Sequence, residues 1–139
     1  MDQNSVVLKM FLPKIPSAEL VAIQALDQMA NYFGIPSETM GEAKIMVTEA
    51  VINALEHSGD GNRQVRVEFK MSKEKLIIFV RDYGTGFNPA SIQEPDIKDK
   101  LHSRNKRGWG MKLMKNMADD FIVESKPTGT KITLTKNLI

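Results

Sequence analysis

The chain has 139 residues, 42% hydrophobic and 26% charged, with a formal net charge of +2. That length and balance fit one globular domain able to bury a core, and so slight a charge, with basic and acidic residues interspersed, does not define a nucleic-acid surface. There is no cysteine, which excludes a disulfide framework and a thiolate metal site. Met1 to Ser5 lack the regions of a signal peptide, and no apolar run is long enough to cross a bilayer, so a cytoplasmic protein without membrane contact is expected.

Val6, Val7, Leu8, Met10, Phe11 and Leu12 form a β-prone run stopped by Pro13, which predicts a first strand and, at the chain's start, an edge or subunit contact. Ser17 is the expected N-cap of a first helix, with Glu19 in its first turn, Leu20, Ile23, Leu26, Ala30 and Phe33 at helical spacing, and Gly34 as its end. Thr39 and Glu42 have the spacing of a capping box for a second helix, Gly41 to Ser58. Its wide apolar face is Ala43, Met46, Val47, Ala50, Val51, Ala54 and Leu55, with Ile45 and Ile52 on a second line that predicts packing on two sides. Val65, Val67 and Phe69 then alternate with charged residues, and Ser72 to Glu74 turn the chain into Leu76 to Val80, a strand expected to be buried on both faces. Residues 88 to 107 are polar and weakly periodic and read as a lid. A helix from Met111 and two strands, Phe121 to Val123 and Ile132 to Leu134, complete an α+β sandwich with helices on one face of a mixed or antiparallel sheet.

On the second helix Glu49, Asn53 and His57 recur every four residues and share one ridge between the apolar faces. Singly, each has a plain structural reading: a lysine-paired carboxylate, an amide bonded to a loop, and a last-turn histidine favoured by the helix dipole. Two glycine stretches, Asp82 to Phe87 and Arg107 to Met111, turn the set toward a nucleotide site. Gly108 and Gly110 before a helix let backbone N–H groups approach a phosphate, with Lys106 and Arg107 as cationic donors upstream. The spacing is neither a phosphate loop of the GKS type nor a dinucleotide fingerprint. Asp82, at a strand end, can accept from the exocyclic amine of adenine or can simply close a turn. Asn53 offers a neutral oxygen suited to Mg²⁺, and Glu49, one turn away, can orient or deprotonate a nucleophile at the terminal phosphate.

In order, Glu49-x-x-x-Asn53, Asp82-x-Gly84-x-Gly86-Phe87, Gly108-x-Gly110-Met111 and Gly129-Thr130 resemble the four nucleotide boxes of the GHKL ATPases, the Bergerat-fold group of gyrase, the histidine kinases and MutL. The compact length, the short lid and the pattern Thr48-Glu49-Ala50-Val51-x-Asn53-Ala54-x-x-His57 resemble the bacterial anti-sigma-factor serine/threonine kinases, a likeness that runs from the first strand to Leu134. The resemblance implies a two-layer sandwich in which Glu49 is the general base, Asn53 the Mg²⁺ ligand, Asp82 the adenine contact and Gly86 a pocket wall. By the same resemblance Arg107, Gly108, Gly110 and Met111 bind phosphates with Lys112 beside them, Thr130 supports the adenine site, and His57, Gly84 and Phe87 complete the pocket. The implied activity uses Mg-ATP to phosphorylate a serine or threonine on a small anti-anti-sigma (STAS-domain) partner, the kinase dimer otherwise holding a sigma factor or another regulator. The intact Glu49 favours this over a second reading, a nucleotide-gated binding module that sequesters a regulator without phosphoryl transfer.

Overall fold

The computed structural model of the chain describes residues 4–58, 64–86 and 106–139. Its elements are β1 (Val6–Leu12), α1 (Glu19–Phe33), α2 (Gly41–His57), β2 (Val65–Met71), β3 (Lys75–Asp82), α3 (Lys106–Met117), β4 (Asp120–Lys126) and β5 (Gly129–Asn137). The strands form one sheet in the order β1-β2-β3-β5-β4, with every neighbouring pair antiparallel. Of the two sheet types the sequence left open, the antiparallel one is formed.

Strand alternation sets the layers. Val65, Val67, Phe69 and Met71 of β2, Leu76, Ile78 and Val80 of β3, and Ile132 and Leu134 of β5 turn inward and are buried. They meet Ala22, Leu26 and Ala30 of α1, Met114 of α3, and the predicted apolar face of α2, all seven residues of which are buried. Helix α2 packs between α1 and α3 and over β3, so its polar ridge lies where two layers and a neighbouring helix meet. No helix among the described residues is long and apolar enough to cross a membrane.

Several local expectations are corrected. Ser17 is not the cap of α1; it takes a left-handed φ of 64°, and α1 begins after Ala18 without a side-chain cap. The Thr39 and Glu42 capping box does not form, because a turn closed by backbone bonds from Thr39, Met40 and Gly41 leads into α2, and Glu42 instead meets Lys136 at 3.2 Å. Gly34 does end α1, in the left-handed conformation at φ 67°, its N–H bonding Ala30 and Asn31 carbonyls. Helix α2 is not buried on two sides, since Ile45 is 43% exposed. The outer face of β3 is only half-buried, because no second layer covers Ile77, Phe79 and Arg81 among the described residues. Helix α3 starts at Lys106 rather than Met111, so Gly108 and Gly110 belong to its first turns. The expected lid, apart from its last two residues, lies outside the described residues.

Candidate functional site

The alternation that buries Leu76, Ile78 and Val80 carries Asp82, the last residue of β3, onto the same inner face at 4% exposure. Register then sets Thr130 of β5, 3% exposed, opposite Asp82, and Ser125 of β4 opposite Thr130. The apolar inner face thus ends in a row of three polar side chains. Asp82 Oδ1 accepts a hydrogen bond from the Gly84 N–H at 3.0 Å, and the Ser125 and Thr130 hydroxyls are 2.8 Å apart. The turn beyond Asp82 is pressed against both layers. A Cβ on Gly84 would overlap the backbone carbonyl of His57 at the end of α2, and one on Gly86 would overlap the Lys126 carbonyl and reach the Ser125 hydroxyl. These two glycines therefore let the strand end, the last turn of α2 and the β4–β5 hairpin close around one another.

The other half of the site is built by α2 and α3. Asn53 is 4% exposed, and its Nδ2 has no hydrogen-bond partner among the described residues. An orphaned buried amide costs roughly 1–3 kcal/mol, which folding alone does not explain. Gly110 of α3 lies so near that a Cβ there would stand 2.8 Å from Asn53 Nδ2 and 3.1 Å from Glu49 Oε2. Glu49, Asn53 and the α3 backbone thus converge from two helices. Burial pushes the Glu49 carboxyl above its ordinary value of 4.5, and the like charge of Glu56, two turns further on, adds to the rise. A partly desolvated carboxylate of raised pKa is a stronger proton acceptor than an exposed one.

The remaining expected residues divide. His57, third on the ridge, has an exposed side chain, and its contribution to the packing is the carbonyl against Gly84. Gly108 is buried, while Met111 and Lys112 are half-buried on α3, with Lys112 Nζ 6.0 Å from the centre of the Trp109 ring. Phe87 and the side chain of Arg107 lie outside the described residues. Sequence reasoning missed Ser125. Its signal was the period-two run Phe121, Val123, Ser125, which continues one residue pair beyond the predicted end of that strand.

Among the described residues, a five-stranded antiparallel sheet under three helices, with a buried strand-end carboxylate and a carboxylate–amide ridge at one end, is the architecture of a histidine kinase-like ATPase. The family model described as "Histidine kinase-like ATPase domain" matches residues 16–136, and the chain belongs to that family. It is 30% identical to the anti-sigma F factor of Bacillus subtilis, over 73% of this chain and 71% of that protein. It is 26% identical to the serine-protein kinase RsbW of the same organism, over 99% of this chain and 89% of that one. Among solved structures, the RsbU and RsbW domains of a Mycobacterium tuberculosis protein share the fold with a TM-score of 0.71 at 17% identity, covering 96% of this chain, which spans about a third (32%) of that longer one. Within the family the chain takes its place among the ATP-dependent serine/threonine kinases.

Proposed function

We propose that the chain is one ATP-binding domain over residues 1–139, with a phosphate lid at about 88–107, that phosphorylates a serine or threonine on an anti-anti-sigma STAS-domain partner. In the same reading it works in the cytoplasm as a homodimer and sequesters a sigma factor or a comparable regulator. The names carried by its relatives support the partner classes. The observation that carries the chemistry is the convergence of Glu49, Asn53 and Gly110 at one point between α2 and α3.

The residues fit the roles. Asp82 accepts from the adenine amine, Thr130 supports the same ring edge, and Gly86 walls the pocket, with Gly84 fixing the Asp82 turn against α2. Gly108, Met111 and Lys112, with Arg107, receive the phosphates on the first two turns of α3, where the positive end of the helix dipole favours anions. Among the described residues no group of three His, Asp or Glu side chains could hold a metal ion. The group present is the buried Asn53, whose carboxamide oxygen suits Mg²⁺, while its Nδ2, partnerless among the described residues, would donate to a ligand oxygen. When bound, Mg²⁺ neutralises charge building on the transferring phosphoryl group. Glu49 takes the proton from the acceptor hydroxyl as its oxygen bonds the γ-phosphorus and the bond to the β-phosphate oxygen breaks, releasing ADP. The outer edge of β1, which pairs with no strand among the described residues and where Val7 and Phe11 are 54% and 57% exposed, supports an edge-to-edge dimer.

The test is phosphoryl transfer from labelled ATP to STAS-domain proteins of the same genome, comparing wild type with Glu49→Ala and Asn53→Ala. Label on one partner's serine or threonine, lost in Glu49→Ala while nucleotide still binds, is the expected result. Tight ATP binding without transfer to any partner would instead favour the nucleotide-gated sequestering module.

A further inference from the structure

We propose that Ser125 is a positioning residue that sets the direction of the Thr130 hydroxyl proton and thereby makes the pocket choose adenine over guanine. This rests on the reading of Asp82 and Thr130 as the adenine site. The row Asp82, Thr130, Ser125 crosses three adjacent strands on the inner face, and Thr130 sits in its middle, almost fully buried. The single side-chain hydrogen bond of the Thr130 hydroxyl among the described residues is to Ser125, at 2.8 Å.

A hydroxyl has one proton and two lone pairs, so the pair has two states. If Thr130 donates to Ser125, it presents only lone pairs to the pocket. If Ser125 donates, the Thr130 proton is released to point at a ligand. The two purines demand opposite patterns: adenine offers an amine donor at C6 and an acceptor at N1, whereas guanine offers an acceptor at O6 and a donor at N1. A carboxylate can only accept, as Asp82 Oδ1 does from the Gly84 N–H. It therefore matches the adenine amine and repels guanine O6. The neighbouring group must then supply a proton for N1, directly or through one water, which requires Ser125 to be the donor within the pair.

The strand ladder holds the two hydroxyls together. Ser125 and Thr130 are register partners of one antiparallel hairpin, and the Ser125 hydroxyl also lies 2.9 Å from where a Gly86 Cβ would be, so the Gly86 backbone limits its rotamers. Specificity thus depends on a side chain one strand removed from the base.

Calorimetric titration of ATP, GTP and 1-deaza-ATP, in which carbon replaces N1, tests this with Ser125→Ala, Ser125→Cys, Ser125→Thr and Asp82→Ala. Loss of one neutral hydrogen bond corresponds to about tenfold in affinity. Ser125→Ala is expected to weaken ATP about tenfold, narrow the preference over GTP and leave 1-deaza-ATP unchanged, with Ser125→Thr restoring the wild-type pattern. Ser125→Cys, nearly the same size but a weak donor, should behave as Ser125→Ala and guards against a packing effect. Equal losses on ATP and 1-deaza-ATP would overturn the proposal, as would no loss on either while Asp82→Ala abolishes ATP binding. Unchanged ATP binding in Asp82→Ala would overturn the adenine site itself, and the inference with it.

Discussion

Gly110→Ala should separate folding from catalysis. The new methyl group would stand 2.8 Å from Asn53 Nδ2, roughly 0.6 Å inside ordinary contact, and 3.1 Å from Glu49 Oε2. Asn53 is buried and short, so its amide can yield only by leaving the position from which it meets a ligand. For the fold the change is mild: alanine gains about 1 kcal/mol of helix propensity over glycine in the interior of α3, offsetting much of the local strain. The melting temperature should therefore stay within about 4 °C of wild type. Catalysis responds differently, because a displacement on the order of 1 Å at reacting groups costs about a hundredfold. The assay is kcat/KM for phosphoryl transfer, with ATP binding followed by the fluorescence of Trp109, the one tryptophan of the chain and the neighbour of Gly110. The loss should shrink when the methyl is added to Asn53→Ala, since the group it displaces is then gone. A Gly110→Ala protein that melts and phosphorylates as wild type would refute the convergence of α2 and α3 as the reaction centre.

Two further outcomes follow from the same geometry. Because burial first, and Glu56 second, raise the Glu49 pKa, the acid limb of the rate profile should lie above the ordinary glutamate value of 4.5, and Glu56→Gln should move it to lower pH. The folded state holds that proton more tightly than the unfolded chain, so Glu49 opposes folding once pH rises through its folded pKa, and Glu49→Gln should raise the melting temperature near neutrality but not below pH 4.5. At the sheet edge, Phe11→Lys should shift the sedimentation of the protein toward monomer while leaving ATP affinity unchanged; a wild type that is already monomeric at micromolar concentration would remove the β1 dimer.

The legible parts of the fold were those governed by one segment at a time. The buried stripe of α2 was read residue for residue, as were the bounds of β1 and the left-handed Gly34, because helical spacing and a stop residue are local signals. Helix starts were not legible from side chains. Ser17 and Thr39 have the chemistry of caps, but successive backbone turns already satisfy the N–H groups that a cap would serve. The start of α3 was placed five residues late because Gly108 and Gly110 lower helix propensity, whereas packing of Met114 and the approach of Gly110 to α2 hold those turns helical.

The composition of the site was legible for a different reason than its connections. Glu49, Asn53 and Asp82 each stand in a pattern readable along the chain, and Thr130 in one that the family resemblance supplies, so a chemistry could be proposed for each before their places were known. What joins Asp82 to Thr130 and Thr130 to Ser125 is sheet order, in which β5 enters between β3 and β4 although β4 comes first in the chain. Had β4 paired with β3 in sequence order, Ser125 rather than Thr130 would lie next to the strand that carries Asp82, and the hydroxyl pair would be turned about. Insertion of the last strand is therefore what puts a threonine beside the carboxylate and a serine behind it. An exchange of the two hydroxyl residues, Ser125→Thr with Thr130→Ser, keeps every donor and acceptor of the row and should keep ATP preference over GTP. Ser125→Ala with Thr130→Ser breaks the chain at one link and should lose it.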